Sequence, residues 1–222
     1  MRRTAIICVS FMAGIIVGPA IAHALAQPQA SRVVDRIVAH IEGDIILQSQ
    51  LRELGAFQQL IEGRAGSDDQ LLAELIEQWV VQTEAKASHF PQPAQSEVGR
   101  ETARLAAQFT SPEAYAAKLS ELGLSATQVR QLLARQIYVE RYLDYKFRPS
   151  VQIESSDIET YYQKELLPEL ASKNQSAPRL ADIEGQVREV LTQRRITALA
   201  AKWLDETKSR LKIELAAPGG EP

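Results

Sequence analysis

The stretch Val33-Val34-Asp35-Arg36-Ile37-Val38-Ala39-His40-Ile41-Glu42-Gly43-Asp44-Ile45-Ile46-Leu47 sets two apolar runs on either side of Glu42-Gly43-Asp44. Gly43 can take positive φ, so the stretch reads as a β-hairpin. A lone two-stranded hairpin is marginal in water, and its apolar face must rest on something else. The remainder of the chain is helical in pattern, with one exception. Lys212-Ile213-Glu214-Leu215 alternates polar and apolar and is expected as a third strand beside the hairpin, joining the two chain ends in one sheet. The expected fold is mainly α, with a small antiparallel sheet made from the N-terminal hairpin and the C-terminal strand.

Between those ends the helix signals follow one another closely. Ser49 is expected to cap a helix to about Leu60, broken by Gly63 and Gly66. Ser67-x-x-Gln70 is a capping box, and Leu71, Leu72, Leu75, Ile76, Trp79 and Val80 share a face until Pro91 and Pro93. A third helix is expected from about Ser96 to Phe109, and Ser111-Pro112 opens a fourth, stopped by Gly123. Ser125-x-x-Gln128 opens a fifth, running to Phe147 before Pro149. After an extended link, Val151 to Ile153, Ser156-x-x-Glu159 caps a sixth that Pro168 should kink or finish. Leu170 to Pro178 is loop-like. A last helix from about Leu180 to Arg210 would reach about 45 Å at ~1.5 Å per residue, so it must bridge or line something. Leu180, Ile183, Val187, Val190 and Leu191 form its first stripe, and Ile196, Leu199 and Trp203 a second.

Composition narrows the function. The chain has 222 residues, 25 basic and 28 acidic, for a formal charge of −3, and no dense basic stripe, which argues against a nucleic-acid partner. With one Cys, three His and no Gly-rich phosphate loop, thiolate, metal and nucleotide chemistry have little to work with, and no cofactor or metal is expected. Arg2 and Arg3 precede an apolar run from Thr4 to Ala22, and Ala24-Leu25-Ala26 has the form that signal peptidase accepts. Residues 1–26 are therefore expected to be a signal peptide, taking with them the only cysteine, Cys8. Losing Arg2 and Arg3 would change the charge from −3 to −5. Retention of the run as an N-terminal anchor is the alternative, against which Gly14, Gly18 and Pro19 weigh.

The order of these features resembles the chaperone module of the SurA family of periplasmic folding factors. The likeness is carried by the Val33 to Val38 strand with its Gly43-Asp44 turn, by Leu122-Gly123-Leu124-Ser125 leading to Gln136 to Leu143, by Val151-Gln152-Ile153 with Asp157 to Tyr162, and by Ile183 to Trp203-Leu204 followed by Lys212 to Leu215. Family members with isomerase activity carry a parvulin domain between the Tyr-Tyr helix and the last helix. Here that interval, Gln163 to Arg179, has 17 residues and no histidine, whereas a separate domain needs at least ~50. The resemblance thus implies a chaperone core without the isomerase and without enzymatic activity. Residues 27–222 would form one module: 27–153 as hairpin and helices, 154–179 as short helix and connector, 180–215 as long helix and strand, and 216–222 as a disordered tail. The implied partners are unfolded or partly folded exported proteins, particularly outer-membrane β-barrel precursors, in the periplasm. The alternative is a structural or assembly subunit that holds one folded envelope partner or a second copy of itself.

The candidate client-binding residues are aromatic. On the fifth helix Val129, Leu132, Leu133, Val139, Leu143 and Phe147 form one stripe, while Tyr138, Tyr142 and Tyr145 lie on nearly the opposite side. Two readings stay open: the tyrosines pack beneath the long C-terminal helix, or they line a groove for unfolded chains, extended by Phe109, Tyr115, Tyr161 and Tyr162. His40 and His89 read as structural or surface residues. Asp68-Asp69 and Ser155-Ser156-Asp157 read as helix starts rather than active-site acids, and Arg194-Arg195 as a solvated edge or salt-bridged seam.

Overall fold

Strand β1 (Ile37–Ile41) turns back on β2 (Asp44–Leu47) in a computed structural model that describes residues 35–216. Glu42 and Gly43 both have positive φ, at 54° and 119°, the pattern of the primed turns that suit tight hairpins. Strand β3 (Ile213–Leu215) lies antiparallel to β1, pairing Ile41 with Ile213 and Ala39 with Leu215, so the sheet order is β2-β1-β3. Glu42 fastens the turn to the returning chain, its N–H donating to the Lys212 carbonyl (3.1 Å) and its carboxylate accepting from the Lys212 N–H (2.7 Å). Strand β1 starts at Ile37; Val33 and Val34, residues 1–26 expected as a signal peptide, Cys8 and residues 217–222 lie outside the described residues. Ala216, placed by the sequence in a disordered tail, instead donates its N–H to Val38 and extends the pairing.

Helix α1 (Gln48–Glu62) starts two residues earlier than Ser49 would set it as a cap, with Leu47 at the cap position. Ser49 lies inside the first turn, where its N–H and hydroxyl both donate to the Asp35 carboxylate, while Gln50 reaches back to the Leu47 N–H. The free N–H groups of the helix start are thus served by an acid from before the hairpin, a partner no local pattern shows. Helix α2 (Asp68–Ala87) has the predicted Ser67 and Gln70 box. Its first half, through Leu71, Leu75 and Ile76, supports the sheet together with Val38, Ala39, Ile41 and Ile46. Its second half, through Val80, Val81 and Ala85, turns to a different set of neighbours. Buried Gly55 lets α1 and α2 approach closely, since a Cβ there would stand 3.1 Å from a Leu71 methyl.

Helices α3 (Gln95–Ala106), α4 (Pro112–Glu121) and α5 (Ala126–Phe147) gather around Phe57, Leu105, Leu119, Val129 and Leu132. Ser111 and Ser125 cap as predicted, but α3 stops short of Phe109. Helix α6 (Ser155–Tyr161) is capped two residues before Ser156, with the Asp157 carboxylate accepting from the Glu154 N–H. Pro168 does not end it. A π turn over Tyr162–Leu166, in which the Leu167 N–H donates to the Tyr162 carbonyl, absorbs the missing donor, and α7 (Leu167–Ser172) continues.

Helix α8 (Leu180–Lys208) buries Val187, Thr192, Ile196, Ala200 and Leu204. The first stripe expected from sequence holds only in part, since Leu180, Ile183 and Leu191 are half-buried and Val190 is exposed. Helix α6 covers α8 here through Ile158 and leaves the Val190 side open. Arg148, just past the end of α5, bonds Glu189 beside Val190 (2.7 Å), and farther along α8 crosses α5 and α2, where Lys208 bonds Glu77 (2.8 Å). No helix among the described residues is long and apolar enough to cross a membrane.

Candidate functional site

The seven aromatic candidates do not form one surface. Tyr138 and Tyr142 are buried, at 3% and 2% exposure, in a cluster with Val80, Val81, Ala85 and Leu204. The Tyr138 hydroxyl donates to the Phe90 carbonyl (3.2 Å), and the Tyr142 hydroxyl lies 3.3 Å from Ser88 Oγ. These two cannot line an open groove. Residues of α2 and α8 enclose them, and Phe90, which follows the end of α2, packs its ring against all three tyrosines, 5.8 Å from Tyr138, 5.4 Å from Tyr142 and 5.2 Å from Tyr145. Of the three, Tyr145 alone is open, at 64% exposure.

Phe109 and Tyr115 meet with their rings tilted, centroids 5.2 Å apart, in the separate cluster under α3 and α4, and the buried Tyr115 hydroxyl has no hydrogen-bond partner. Tyr161 lies under the Arg194 guanidinium (4.8 Å), and the Tyr162 hydroxyl donates to the Pro178 carbonyl (2.7 Å). Each of these four has a local structural task. His40 and His89 are exposed. His89, with φ 54°, is the left-handed residue that ends α2, its N–H bonded to Lys86 and the next N–H, from Phe90, to Ala85.

A different surface combines concavity with apolar character. Helices α1, α2 and α5 diverge around a cavity of about 300 Å³, at the lower end of the range that takes ligands. Its floor is Leu54, Phe57 and Ile61 from α1, Val81 from α2, Leu132, Val139 and Leu143 from α5, and Leu204 from α8. The floor on α5 is the stripe opposite the tyrosines. The rim is amide and carboxylate: Gln58 and Glu62 on α1, Glu74, Glu77 and Gln78 on α2, and Gln136 and Glu140 on α5, with Arg135.

Within this rim Glu74 accepts from Gln58 (2.7 Å) and Gln78 (3.0 Å). Burial pushes its carboxyl above the usual range, and the like charges of Glu62 and Glu77 add to the effect against those two donors. Gln58 also accepts the Gly66 N–H (2.9 Å), which fixes its orientation. Gln136 donates to Glu140 (2.9 Å). Glu77 bonds Lys208, whose ammonium is held above its ordinary pKa chiefly by that hydrogen bond. The groove can take up apolar side chains on its floor and offer hydrogen bonds to a polar backbone at its edge.

Sequence reasoning found the α5 part of this floor as an apolar stripe but not the groove itself. Its walls come from helices far apart in the chain, and the residues that line it look like ordinary amphipathic positions. No protein-family model matches the chain, and no curated protein matches it.

Proposed function

We propose that this protein is an ATP-independent periplasmic chaperone of the SurA kind that holds unfolded exported proteins, outer-membrane β-barrel precursors among them, without isomerase activity. The observation that carries this reading is the open groove between α1, α2 and α5, apolar on its floor and lined at its rim by amides and carboxylates. Strands of an unfolded barrel alternate apolar and polar residues. Such a segment can place one or two apolar side chains against the half-buried Ile61, Val139 and Leu143 while its backbone meets Gln58, Gln78 and Gln136. Contact over so small an area gives modest affinity and ready release, as a holding factor requires. The signal-like N-terminus supports export, and the pairing of β3 with β1 supports the resemblance stated above.

The test is dilution of a urea-unfolded outer-membrane barrel protein into buffer with near-stoichiometric amounts of this chain, followed by light scattering. Suppression of aggregation for several unrelated barrel proteins, weakened by Val139→Gln on the groove floor, is the expected result. Protection of none, with copurification of one folded envelope protein, would favour the assembly-subunit reading.

A further inference from the structure

We infer that the rim of the groove selects client segments in which apolar residues are flanked by Lys or Arg. This inference rests on the groove reading and adds a charge preference to it. Four carboxylates line the groove, Glu62, Glu74, Glu77 and Glu140, against one guanidinium, Arg135. Among the described residues Glu77 is the one of these four in an ion pair, with Lys208. Glu74 is half-buried and bonded only by neutral amides.

An anion held there by amides, with Glu62 and Glu77 nearby, lacks a compensating charge. A cation brought in by the occupant supplies one. The apolar floor anchors the occupant, and the rim then discriminates by what lies beside the anchoring side chain. An acidic flank would meet the carboxylates directly, and like charges brought together at a partly desolvated edge disfavour the complex. The formal charge of −3 for the whole chain acts in the same direction at longer range.

Three short labelled peptides with one shared Phe/Leu centre, flanked by Lys, Ser or Glu, would be titrated with the protein and followed by fluorescence anisotropy at low and high salt. At low salt the Lys-flanked peptide should bind about tenfold tighter than the Ser-flanked one and the Glu-flanked peptide more weakly, with the differences shrinking as salt screens them. In the combined variant Glu62→Gln, Glu74→Gln, Glu140→Gln, checked for folding by circular dichroism, the Lys- and Ser-flanked affinities should converge. Equal affinities in the unaltered protein, or a Lys preference that survives in the variant, would overturn the inference. If the Ser-flanked peptide binds and Val139→Gln releases it while the flanks make no difference, the groove reading stands and the charge preference falls. If no peptide binds, both fall.

Discussion

The ammonium of Lys146 lies 4.7 Å from the centroid of the Trp203 indole, joining the end of α5 to the last turns of α8. The rings of Tyr142 and Phe147 stand 5.8 and 5.9 Å from the same nitrogen, and Phe147 meets Trp203 edge to face at 5.9 Å. A cation among three aromatic rings is attracted by each of them. Replacing Lys146 by Met keeps the length of the side chain and removes the charge, so the cost should be about 1 kcal/mol. Urea unfolding followed by Trp fluorescence measures it, and an unchanged midpoint would show that the ring contacts alone hold the helices.

Tyr145 and its two neighbours should differ in reactivity. Tetranitromethane is expected to modify Tyr145 first, while Tyr138 and Tyr142 resist in the folded protein and react once it is unfolded in urea. Peptide mass mapping after short exposure reads the order. Tyr138→Ala should cost about 3–5 kcal/mol, because it empties a ring-sized volume next to Phe90.

Arg148 bridges α5 and α8, donating to Asp144 and to both oxygens of Glu189 (2.7 and 3.0 Å). Its guanidinium, followed by the Gln193 amide, holds the Glu189 carboxyl down to about 2, and Arg148 lowers Asp144 as well. Carboxyls with depressed folded values contribute stability that is present above their ordinary range and is lost as pH falls toward the folded value. The stability difference between the unaltered protein and Arg148→Gln should therefore be full near neutral pH, fade below about pH 4.5 and vanish only below about pH 2. The groups are partly exposed, so salt should shrink it. Urea midpoints across pH at two ionic strengths test both statements.

Tyr115→Phe should raise the melting temperature. The Tyr115 hydroxyl is buried without a partner, and burial pushes its pKa up. Removing it relieves a desolvation cost of about 1 kcal/mol while the ring keeps its contact with Phe109. Calorimetry of the two proteins decides it, and a lower melting temperature would mean that the hydroxyl is satisfied.

Where a helix start depended on residues within three positions of each other, the chain showed it directly: Ser67 with Gln70, Ser111 with Pro112 and Ser125 with Gln128 all behave as expected. Ser49 and Ser156 look like caps and are not: the Asp35 carboxylate takes the N–H and hydroxyl of Ser49, the Asp157 carboxylate reaches back to the Glu154 N–H, and each helix starts two residues earlier than its serine would set it. The candidate site was less legible. Both faces of α5 are apolar in sequence, and the tyrosine face was closed by Val80, Val81 and Ala85 of α2, Leu204 of α8 and the ring of Phe90, all distant in the chain.

The order of strands and helices, and the return of Lys212 to Leu215 toward the hairpin, follow from periodicity, caps and turn residues, which act over a few positions along the chain. Which apolar stripe stays open was decided only by assembly. That depends on the volume left where α1, α2 and α5 diverge and on which carboxylates arrive at its edge without a cation. Both are sums over residues distant in sequence, and no stretch of the chain encodes them alone.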